Sequence, residues 1–148
     1  MNSTRFRRKL RRFGRLRFDD KVLFLRAIAW LGVARLLIAI VPFNSLSSRL
    51  SGDREGVNDS TDPHLCARVG FVVAAAANNV PWRSDCFPQT IAARMLLKRY
   101  GYGSTIHFGV DRSSATEIRA HAWLSCGDTI VTGGEEIQRY TELHRIEP

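Results

Sequence analysis

At 148 residues, with 45% hydrophobic and 24% charged side chains, the chain is long enough for one ordinary globular core and too evenly composed for a fibrous or disordered protein. A net charge of +8 invites a nucleic-acid reading, but eight of the 22 basic residues and no acid lie in residues 1–17, which leaves 14 of each sign in the rest. The basicity belongs to an arm, and without a zinc-finger or RNP-type motif beside it no nucleic-acid partner is expected. Three cysteines, Cys66, Cys86 and Cys126, argue against a disulfide framework or a zinc cluster, so no metal or other cofactor is expected. A lone reactive thiol suits a reducing, cytoplasmic setting.

In chain order, residues 1–18 read as a basic arm, a solvated block of like charge suited to an anionic membrane surface or an acidic peptide. Residues 19–41 read as an apolar helix packed on the domain. Arg26 and Arg35 fall on opposite helix faces, and each costs about 2.5–3.5 kcal/mol near a bilayer centre, which disfavours a spanning helix. Peripheral membrane contact through the arm stays open. From Asn44 to Asp62 the serines, glycines, Asn58 and Asp59 predict a loop, so residues 19–62 form an N-terminal helix and loop ahead of a core at 63–148.

Asp62-Pro63 marks a helix start, and the helix runs to about Asn79. Beyond Arg68 it is apolar all round, which predicts burial. Pro81 to Gln89 leads into a helix over Thr90–Arg99, with Cys86 at or just before its first turn and Gly101 at its C-terminal cap. After Gly103 the period changes to two. Ser104–Val110, Ile118–Cys126 and Thr129–Thr132 read as strands, with Gly127-Asp128 as a hairpin turn. A short helical turn over Glu135–Tyr140 and an extended piece over Leu143–Ile146 complete the chain. Helices first and an antiparallel sheet afterwards make the fold class α+β.

A cysteine at a helix start faces unpaired N–H groups and the positive end of the helix dipole, both of which favour thiolate. Of the possible bases His64, His107, His121 and His144, the best placed is His121, mid-strand between Ala120 and Ala122. Period two puts Trp123 on the same face, where it walls the imidazole. Taken singly, such a cysteine or histidine is more often an inert core group. Cys66, within an apolar helix, and Cys126, at a hairpin end, read as structural.

Five pieces of sequence add to this: Val80-Pro81-Trp82, Asp85-Cys86, Leu96 to Gly101, Phe108-Gly109-Val110 and Ala120-His121-Ala122-Trp123-Leu124. Together they resemble the lasso-peptide leader peptidases, B-type maturation proteins with a transglutaminase-like (papain-like) core, over Val69–Ile146. The resemblance implies a catalytic core at 63–148 and a Cys–His–Asp site whose first two members fall on Cys86 and His121. The family's acid position is occupied by Gly133. Asp128 lies in the turn at the far end of the hairpin, so Glu135 is the candidate third member, and a backbone carbonyl, leaving a dyad, has equal standing. The implied reaction is cleavage of a ribosomally made precursor peptide, aided by a small separate recognition protein and followed by a lasso cyclase. The same acyl-enzyme also suits transglutaminase-like acyl transfer or deamidation. A non-catalytic peptide- or membrane-associated module is the remaining reading.

Overall fold

The computed structural model describes residues 18–51, 61–111, 118–135 and 137–148. Four helices come first: α1 (Phe18–Ile40), α2 (Phe43–Leu50), α3 (Pro63–Ala77) and α4 (Cys86–Arg99). Strands β1 (Thr105–Asp111), β2 (Arg119–Cys126), β3 (Thr129–Thr132) and β4 (Thr141–Ile146) follow, with a 3₁₀ turn at Ile137–Arg139. They form one antiparallel sheet in the order β3-β2-β1-β4. This is the expected α+β order. The expected basic arm lies outside the described residues, apart from Phe18.

Helix α1 packs across α3 and α4, and α3 and α4 in turn cover β3 and β2. Leu23 and Leu31 of α1, Val69 and Val73 of α3, Leu96 and Leu97 of α4, and Ile106, Leu124 and Ile146 of the sheet share a single buried core. Fully burying a side chain of that size contributes roughly 1.5–3 kcal/mol, so α1 is held by much more than its own helix propensity. The core is stapled at one end by a charge. Arg94 of α4 is buried, and its guanidinium donates to the carbonyls of Leu50, Ser104, Ile146 and Glu147. It thereby joins the end of α2 to the start of β1 and the end of β4, which lie side by side at one end of the sheet.

Three features depart from the sequence reading. Residues 43–50, expected mostly as loop, form α2. Leu46 and Leu50, one turn apart, are each 3% exposed and anchor the helix to the core. Its serines satisfy their hydroxyls locally: Ser47 donates to Asn44 O (2.9 Å) and Ser48 to Ser45 O (3.1 Å). The rest of the expected loop, 52–60, lies outside the described residues, as do 112–117 of the expected turn after β1. Helix α4 begins at Cys86, four residues before the expected Thr90, because Pro88 in its first turn lacks only an N–H that has no acceptor within the helix. Third, α3 is not buried all round: Phe71 is 76% exposed and Ala74 is also exposed, on the side that faces a cleft rather than the core.

One close approach fixes where the sheet meets these helices. A Cβ on Gly70 of α3 would stand 2.0 Å from the carbonyl oxygen of Val131, a backbone atom that cannot swing aside. Only glycine lets β3 lie this near α3, and the end of β3 enters the site described next.

Candidate active site

Cys86 is the first residue of α4 and is half-buried. The residue before it, Asp85, has extended backbone and makes no side-chain capping bond, so it does not occupy the first-turn N–H groups. Instead Asp85 meets Arg83 at the surface (3.4 Å). Two bonds hold the helix start in place. Gln89 Nε2 donates to Ser84 O (2.8 Å), and Thr90 Oγ1 donates to Cys86 O (2.8 Å). The thiol thus sits on a braced first turn, next to free backbone donors.

His121 lies on β2 beyond the stretch paired with β3, since that pairing covers only Leu124 to Cys126. Past Thr132 the chain turns through Gly133, at φ 70°, and brings the Gly133 carbonyl back to His121. The imidazole Nε2–H donates to that carbonyl at 2.8 Å. A carbonyl can only accept, so Nε2 carries the proton and the neutral ring keeps its lone pair on Nδ1. The ring is also walled by aromatics. Tyr140 stacks on it at 4.8 Å between centroids, tilted by 29°, and Trp123 lies at 6.1 Å, tilted by 22°.

Beneath Trp123, at 5.3 Å and 4° from parallel, lies His107. Its two ring nitrogens bond Glu142 (3.0 Å) and Ser125 (2.8 Å). His121 therefore belongs to a braced stack of rings along the sheet, in contact with both Tyr140 and Trp123.

Cys86 and His121 line two clefts in common. The larger, about 580 Å³, is bordered by Phe71 and Asn78 of α3 and its exit, by Gln89, and by Thr132 to Glu135. The smaller, about 250 Å³, is apolar: Phe87, Phe108, Val110, Ala120, Ala122 and Leu143 line it. Phe87 and Phe108 meet edge to face at 5.2 Å, and Phe43 of α2 closes on Phe108 at 5.4 Å, an arrangement aromatic quadrupoles favour. Both clefts open to solvent.

Cys86 and His121, chosen from sequence, thus share both clefts, and Trp123 shares the face of His121. Glu135 also borders the larger cleft but is exposed, and the group that holds the imidazole is the Gly133 carbonyl. Of the two groups the sequence left open, the one hydrogen-bonded to His121 is the backbone carbonyl. A side chain at 133 would not fit: its Cβ would lie 2.6 Å from Ala122 O and 3.1 Å from His121 Nε2. Asp128 is exposed in the hairpin turn. The other histidines lie elsewhere, His64 exposed at the start of α3 and His144 exposed on β4. Sequence reasoning missed Tyr140, Phe43 and Gln89. Only Gln89 carried a local signal, as a polar residue in the first turn of the helix that Cys86 opens.

The other two thiols are of a different kind. Cys66 and Cys126 are both fully buried. Burial, together with the adjoining Cys66 thiol, pushes the Cys126 thiol up to about 12. Neither thiol lines either cleft.

A half-buried cysteine at a helix start, sharing its clefts with an imidazole whose tautomer leaves Nδ1 unprotonated, can do nucleophilic acyl chemistry. Comparison with curated proteins and with solved structures found no match. Residues 28–145 match the profile of the transglutaminase-like superfamily, which reaches back into α1 and forward into β4. The chain therefore belongs to the transglutaminase-like superfamily, whose members are cysteine peptidases or acyltransferases.

Proposed function

We propose that this protein is a cysteine peptidase that removes the leader from a ribosomally made lasso-peptide precursor. The observation that carries the reading is the pair of clefts meeting at Cys86 and His121. A peptide laid through both would present one bond to the thiol, with an apolar residue on one side of it. Openness to solvent favours hydrolysis over transfer, because water can reach an acyl group on Cys86. The sequence pieces around Trp82, Cys86, Gly109 and His121 support the narrower assignment to leader removal by their resemblance to the B-type maturation proteins.

In this mechanism His121 Nδ1 takes the thiol proton and Cys86 Sγ attacks the scissile carbonyl. The Cys86 N–H at the start of α4 faces the oxyanion. The imidazolium, held through Nε2–H by Gly133 O, gives its proton to the departing amine of the core peptide. Nδ1 then activates a water that releases the leader as a carboxylate. Working partners in this reading are a small recognition protein that delivers the precursor and a cyclase that takes up the freed amine, all in the cytoplasm.

Mass spectrometry of a lasso precursor incubated with the protein and a recognition partner tests the proposal. Two fragments whose masses add up to that of the precursor plus one water are expected. A one-dalton gain, or a new isopeptide bond, would assign the site to deamidation or acyl transfer instead.

A further inference from the structure

The outer side of α1 has no role in the site or the core. Leu23, Ala27, Leu31 and Ala34 are buried on the inner side, each 2% exposed or less. On the opposite side Phe18, Leu25, Val33, Leu36 and Ile40 are 79%, 59%, 40%, 62% and 76% exposed. Steps of three and four residues, with Val22 and Ala29 filling the gaps, keep this set within about 80° around the helix. It forms a continuous apolar stripe about 33 Å long at 1.5 Å per residue. Trp82, 37% exposed, adjoins it beside Gly32.

Charge frames the stripe. Arg26 and Arg35, both exposed, flank it on either side. Of the two acids in α1, Asp20 is engaged by Arg68 of α3, and Asp19 lies in the first turn at the positive end of the helix. Directly before Phe18, the first 17 residues carry eight cations and no acid. An apolar stripe bordered by arginines and continuous with a polybasic segment is the two-signal combination that binds an anionic bilayer surface.

We propose that α1 lies in the plane of an anionic lipid surface, its outer stripe in the acyl boundary and the basic arm on the headgroups. By length and composition α1 could cross a membrane, but its inner side is part of the core, so crossing would unfold the domain. A second copy of the chain is a poorer occupant, because mating two stripes would bring Arg26, Arg35 and two polybasic arms together. This inference does not depend on the peptidase reading.

Flotation of the full-length protein with vesicles tests it. The protein floats with equimolar phosphatidylglycerol and phosphatidylcholine, stays behind with phosphatidylcholine alone, and is released by 0.5 M salt. Removing one arm cation weakens binding about fivefold. Leu25→Glu/Leu36→Glu loses flotation by at least tenfold while its thermal unfolding matches the parent. Leu25→Ser/Leu36→Ser gives the same result, to a smaller degree, without added charge. Absence of flotation on the anionic vesicles overturns the proposal and leaves the stripe to a protein partner. Equal flotation of both stripe variants also overturns it, by showing that the arm alone suffices. A dimer in light scattering that both variants dissolve assigns the stripe to a second copy.

Discussion

Cys86 stands half-buried at the start of α4, where two clefts and an imidazole meet, whereas Cys126 is sealed at the end of β2 against Cys66 of α3. Both are free thiols in one small domain. The first shares two solvent-open clefts with the His121 imidazole. The second has lost water without gaining a cation, so its ionised form is disfavoured and its thiol is pushed up to about 12. The contrast lies in position in the fold: one thiol opens a helix and shares two clefts with a strand histidine, and the other joins a helix interior to a strand end as a core contact.

The largest expected effect breaks the reactive side of that contrast. Cys86→Ala should lower peptide cleavage by about 10⁴-fold or more while the melting temperature holds, because in the proposed mechanism the thiol forms the covalent intermediate, and it fills no core space. His121→Ala should cost about 10²–10⁴-fold in kcat, the usual range for a general base, with KM little changed. Single-turnover kinetics on a precursor would read both.

Gly133→Ala tests how the base is held. Its Cβ meets Ala122 O and the imidazole, and φ 70° is a left-handed conformation that costs an L-residue about 1–2 kcal/mol. We expect a loss greater than that in a denaturant titration, because the backbone oxygen of Ala122 must also give way, with kcat down by more than stability alone explains. Gly133→Asp should not rebuild an acid-supported triad.

On the inert side, pH separates the thiols. Between about pH 9 and 12 the Cys126 thiol ionises in the unfolded chain but stays protonated in the folded one, so stability should fall as pH rises through that window. Cys126→Ala should flatten this fall, measured by thermal melts at stepped pH, and should leave cleavage at neutral pH intact. The smallest effect is expected from Glu135→Gln. Its carboxylate borders the cleft without holding His121, and a change of less than about threefold in kcat/KM is expected for an exposed side chain of this kind.

Much of this arrangement was legible in the residues. Asp62-Pro63 marked the start of α3, and period two placed the strands and set Trp123 on the face of His121, because these signals are local and physical. Cys86 at a helix start was read from its neighbours in the same way. What escaped was set by tertiary packing. The serines of α2 look like loop chemistry, yet two leucines one turn apart and local hydroxyl bonds make a helix. Apolar residues on α3 promised burial, but Phe71 and Ala74 wall a cleft instead. A backbone carbonyl stood open as the acceptor for His121, but no side chain reports that Gly133 is the residue that supplies it. Tyr140 arrives from beyond β3 with no periodic pattern to announce it.

The pairing of Cys86 with His121 is tested most directly by thiol alkylation under native conditions. Iodoacetamide should modify Cys86 alone among the three cysteines, as read by peptide mapping, and His121→Ala should slow that modification by tenfold or more. A Cys86 that reacts no faster than a free model thiol, at a rate indifferent to His121, would contradict the account.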